Sequence, residues 1–158
     1  MSQMILTENK ITLPLTRDFR QLLHSSISGG KFIVIHPHYK LIREAMRLDI
    51  IGEEQLDELE AQVNENEEGE VIQLERDQVM FLYALLEIIC RLFLCEIGDD
   101  LKKLAIECGD TNEEEFLKVR SFFLHQAEAF LHHTNEAFRD NEEFQDLKNR
   151  ICQLDSLF

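Results

Sequence analysis

The sequence predicts a mainly α-helical fold, a bundle of about five to six helices with a small β element at its N-terminal end. Three observations predict it. From Tyr39 onward, apolar residues recur at spacings of three and four, the period of a helix with one buried face. Two prolines and six glycines are few for 158 residues, which favours long regular elements. The run Val79–Cys95, VMFLYALLEIICRLFLC, carries formal charge only at Glu87 and Arg91, so it reads as a helix buried on nearly all sides. The alternative is an α+β domain in which segments 10–15, 31–36 and 71–74 form a small sheet. With 44% hydrophobic residues the chain can bury a real core, and its length suits one domain over 1–158. Within it, a less regular segment with short strands, 1–38, precedes a helical bundle over 39–158.

In chain order, Ile11, Leu13 and Leu15 alternate along KITLPL, which predicts a strand, and Pro14 restricts it to a sheet edge. Thr16 can cap a brief helix carrying Phe19, Leu22 and Leu23. Ser25–Gly30, SSISGG, reads as a turn, and Lys31–His36, KFIVIH, as a second strand stopped by Pro37. Leu41, Ile42, Ala45 and Met46 share one face of a helix that Gly52 can end. Leu56, Leu59 and Val63 define a helix from Glu53 to Val63, its opening acids suited to the positive end of the dipole.

After the apolar helix, Gly98 and Asp99 mark a break and a cap before a short helix closed by Gly109. Thr111 and Glu114 resemble a capping box at the start of the longest helix, which reaches Phe138. Asp140 or Asn141 then caps a final helix with a seam of Phe144, Leu147, Ile151, Leu154 and Phe158. The 79–97, 112–138 and 141–157 helices should form the core of the bundle.

Charge is unevenly spread. The formal net charge is -15, from 16 basic and 31 acidic residues, and eleven of the acids lie between Leu48 and Glu75, where no Lys or Arg occurs. The remaining bases are scattered, which argues against a nucleic-acid partner and against an anionic membrane surface. Cys90, Cys95, Cys108 and Cys152 form no C-x-x-C pair and read as reduced thiols, and MSQMILTENK has no signal-peptide pattern, so a cytoplasmic protein is expected.

At the heart of the acidic stretch, Asn64–Glu75 reads NENEEGEVIQLE. A twelve-residue calcium loop wants oxygen donors at its first, third and fifth places, Gly at the sixth, a backbone carbonyl at the seventh and a bidentate Glu at the twelfth. Here those places hold Asn64, Asn66, Glu68, Gly69, Glu70 and Glu75, with aliphatic Val71 at the eighth. The segment from Glu53 to Cys95 therefore resembles an EF-hand, and the resemblance implies calcium held by Asn64, Asn66, Glu68, the Glu70 carbonyl and Glu75. It departs from that family in having Asn64 for Asp, a long Glu68, and one loop instead of a pair. The plain reading of the same residues is a polar linker with VIQL as a short extended piece.

His125, Glu128 and His132 stand three and four apart on one helix, a spacing that can present ligands to zinc or iron. On a helical wheel, however, they lie roughly 120–180° from the direction shared by Phe116, Phe123, Ala127, Phe130 and Thr134, so a solvated face is expected. His36 and His38 flank Pro37 in what reads as a turn. Ser28-Gly29-Gly30-Lys31 lacks the earlier Gly and the following Ser or Thr of a phosphate loop, and no G-x-S-x-G or H-E-x-x-H occurs. The sequence thus leads to a small acidic, non-enzymatic protein acting through protein–protein association, as a homo-oligomer or an inhibitor of a basic partner. Calcium binding at 64–75 and a small helical metal protein or enzyme using surface His and Glu are the alternatives.

Overall fold

The computed structural model describes residues 5–7, 10–35, 52–67, 69–94, 96–109 and 111–153. Along the chain run β1 (Ile5–Thr7), β2 (Lys10–Pro14), α1 (Arg17–Ile35), α2 (Glu53–Glu65), β3 (Val71–Glu75), α3 (Arg76–Phe93), α4 (Glu96–Glu107), α5 (Glu113–Ala137) and α6 (Glu142–Gln153). The fold is mainly α with a small antiparallel sheet, in the order β1-β2-β3.

Ile11 and Leu13 of β2 stand opposite Leu74 and Ile72 of β3, and all four are buried. One face of the sheet therefore joins the helical core while Val71, Gln73 and Glu75 face outward, the alternation a half-buried sheet requires. β2 is central, not an edge as Pro14 suggested. The Leu15 N–H donates to the Glu70 carbonyl at 2.8 Å, on the β3 side. Because bonding direction alternates along a strand, the Pro14 nitrogen points to the β1 side, beyond the Ile5–Thr12 pair where that ladder ends. Among the described residues β1 pairs only with Lys10–Thr12, so Pro14 interrupts none of these pairs.

The segment expected as turn and strand, 25–36, is instead the second half of α1 as far as Ile35. Ser26 is fully buried, and its hydroxyl donates to the Leu22 carbonyl at 2.6 Å, so it does not break the helix. Ile27 and Ile33 are buried, and their packing outweighs the strand preference of β-branched residues. Gly29 and Gly30 mark a close helix crossing. A Cβ on Gly30 would lie 2.7 Å from Leu56 Cδ2 and 3.1 Å from Leu85 Cδ1. Thr16 does cap α1, accepting from the Phe19 N–H at 3.1 Å.

α3 is the hub of the fold. It contacts every other described helix and both β2 and β3. Every residue from Val79 to Leu86 is buried. Burial of each large apolar side chain is worth about 1.5–3 kcal/mol, so this helix dominates the core. α6 is joined to it by the Tyr83–Phe144 edge contact, with ring centroids 4.8 Å apart, and Phe144 also meets Phe138 at 5.4 Å. On the remaining side Phe93 packs against Phe123 and Phe116 of α5. The buried hydrophobic side chains form one contiguous cluster.

The helix expected over 79–97 begins earlier, at Arg76, and ends earlier, at Phe93, so the break expected at Gly98–Asp99 falls before Glu96. Gly98 and Asp99 lie inside α4, and Gly109 follows its end at φ +77, a left-handed conformation that favours glycine. α5 is capped by Asn112, whose side chain accepts from the Glu115 N–H at 2.8 Å, one residue beyond the expected Thr111. Asn141 does the same for α6 at Phe144, also at 2.8 Å. The helix expected from Tyr39, the turn at His36–His38, and the seam residues Leu154 and Phe158 lie outside the described residues.

Candidate functional site

The acidic stretch forms a helix, a turn and a strand. α2 ends at Glu65, Gly69 and Glu70 lie in a turn before β3, and the Gln62 side-chain amide of α2 donates to the Gln73 carbonyl of β3 at 3.4 Å. Gly69, at φ +92, makes the bend, as its place in the sequence suggested. The turn is tied to the N-terminal region: the Gly69 N–H donates to the Leu15 carbonyl at 3.0 Å, and the Arg20 guanidinium donates to the Asn66 carbonyl.

Two of the expected calcium donors, the Glu70 carbonyl and the Glu75 carboxylate, are engaged within the chain. The Glu70 carbonyl accepts from Leu15. The Asn66 amide donates to the Gln62 carbonyl at 2.7 Å. Glu75 is the N-cap of α3, its side chain accepting from the Gln78 N–H while the Gln78 side chain accepts from the Glu75 N–H at 3.0 Å. Asn64 is exposed on α2, and Glu68 lies outside the described residues. Five extended residues carry Glu75 roughly 13 Å from Val71. Arg20 sets a positive charge against the turn. The structure therefore brings Asn66, Gly69 and Glu70 into one turn but places Glu75 beside the middle of α2.

His125, Glu128 and His132 are all exposed on α5. His132 meets His133 edge-on at 5.7 Å, a neighbour the three-and-four spacing did not single out. Among the described residues no three of His, Cys, Asp or Glu are grouped so as to hold a metal ion. Glu87 and Arg91 form the expected pair along α3, each side chain about one-fifth exposed. Cys90 beside them is pushed up to about 12 by burial, reinforced by Glu87 and opposed by Arg91, so it is a poor nucleophile at neutral pH. Cys108 and Cys152 are exposed thiols.

A different arrangement emerges where β3 returns along α2. An open cleft of about 740 Å³ lies between α2 and the β3–α3 junction. Gln55, Glu58 and Gln62 line it from α2; Glu75, Asp77 and Gln78 line it from the junction, and Phe81 is at its base. A second hollow of about 320 Å³ shares Asp77 and Phe81 and continues to Glu143, Asp146 and Leu147 of α6. The two hollows meet at Asp77 and Phe81 on the N-terminal half of α3, and carboxylates from three helices and one strand line them. Arg150 alone among its described lining is basic, and it is engaged with Asp146 at 3.1 Å. Arg76, adjacent in sequence, instead lies over the Phe138 ring, 5.5 Å from its centroid.

Glu75 and Glu58 belong to the acidic stretch visible in the sequence. Asp77, Glu143 and Asp146 were not singled out, because nothing in their spacing signals that α6 folds back beside the start of α3. No protein-family model matches the chain, and neither the comparison with curated proteins nor that with solved structures finds a match.

Proposed function

We propose that this chain acts by associating with a basic protein partner, and that the acidic α2–β3 face is its recognition surface. The observation that supports this most is the groove over α3, where five carboxylates converge with one arginine. A surface of one sign raises the local concentration of an oppositely charged partner and accelerates encounter. The elements expected to supply catalysis or metal binding give no comparable convergence: the His125, Glu128 and His132 side chains point to solvent.

The burial of the apolar helix supports an association that runs through another surface. That helix is covered by the chain's own elements, so it needs no second copy to shield it. Among the described residues no helix is long and apolar enough to cross a membrane. We place the association in the cytoplasm, on the expectation drawn from the cysteine pattern.

Fluorescence anisotropy with a labelled lysine-rich peptide tests the reading. Binding that is saturable at low salt and weakens steeply as salt rises is the expected result. Absence of binding at low salt would remove the proposal. Light scattering across a concentration series tests the homo-oligomer separately, and a monomer throughout is expected.

A further inference from the structure

We draw no further inference here: the strongest candidate, the apolar surface patch at the C-terminal end of α3, where Leu94 is 73% exposed and Leu117 of α5 is 39% exposed next to the Phe93–Phe116 contact, carries nothing because nothing in the structure shows what covers it.

Discussion

Replacing Gly30 by Ala should destabilise the protein although alanine is the better helix former. A methyl group at Gly30 meets Leu56 Cδ2 at 2.7 Å and Leu85 Cδ1 at 3.1 Å, where carbon atoms prefer about 3.5–4.0 Å. Leu56 and Leu85 are both fully buried, so neither moves into solvent. Overpacking of this kind costs about 1–3 kcal/mol, against about 1 kcal/mol gained in helix propensity. A net loss of about 1–2 kcal/mol follows when the clash takes the upper part of that range, as contacts to two helices imply. For a chain of this size each kcal/mol lowers Tm by about 2–4 °C. Gly29→Ala is the matched control: its nearest neighbour is the terminal Cδ1 of Ile89 at 3.2 Å, and propensity should roughly cancel the crowding. The assay is chemical denaturation of both variants followed by circular dichroism, with Leu56→Val added to Gly30→Ala. The smaller Leu56 replacement should recover at least about 0.5 kcal/mol by coupling. A Gly30→Ala protein as stable as the native one would show that α1 does not cross α2 and α3 this closely.

Four further outcomes follow from the same structure. Iodoacetamide at mildly alkaline pH should label Cys108 and Cys152 quickly and Cys90 far more slowly, as mass spectrometry of the digest would show; rapid Cys90 labelling would contradict its burial. Burial, with Glu87 nearby, raises Tyr83 from 10.0 to about 12, so the folded state holds this proton more tightly than the unfolded chain. That contribution is complete below pH 10 and is lost as pH rises towards 12; Tyr83→Phe should flatten the fall in Tm over this window. Asn141→Ala should cost about 1 kcal/mol through loss of the cap on Phe144, measured by urea denaturation, whereas Asn141→Asp should cost much less. Millimolar calcium should leave Tm unchanged within about 1 °C, since a ligand bound only by the folded state would raise it; a saturable rise of several degrees would return the 64–75 loop to consideration as a calcium site.

What the sequence disclosed depended on how local the physics was. The α3 core was legible because an apolar run with one ion pair has few other uses. The caps of α1 and α6 were legible because Thr16 and Asn141 act within three residues of themselves. Lys31–Ile35 has a strand preference that is local, whereas the packing of Ile33 and the glycine crossing that accompany its helical state depend on the rest of the core. Pro14 misled in the same way: its missing N–H faces the β1 side, where the described pairs stop at Thr12, and β3 lies on the other. At the candidate site, the density of acids and the bend at Gly69 were visible, while the joining of Glu58, Asp77 and Glu143 was not. That joining depends on β3 returning along α2 and on α6 docking through Phe144, contacts far apart in sequence.

The most direct test of the groove as the recognition surface is chemical-shift mapping on isotopically labelled protein as a basic amphipathic peptide is added. The backbone signals of Glu58, Gln62, Asp77, Gln78, Phe81 and Asp146 should move together and saturate at one peptide per chain. Movement confined to α5 around Glu113–Glu115, or spread evenly over every acidic residue, would contradict it.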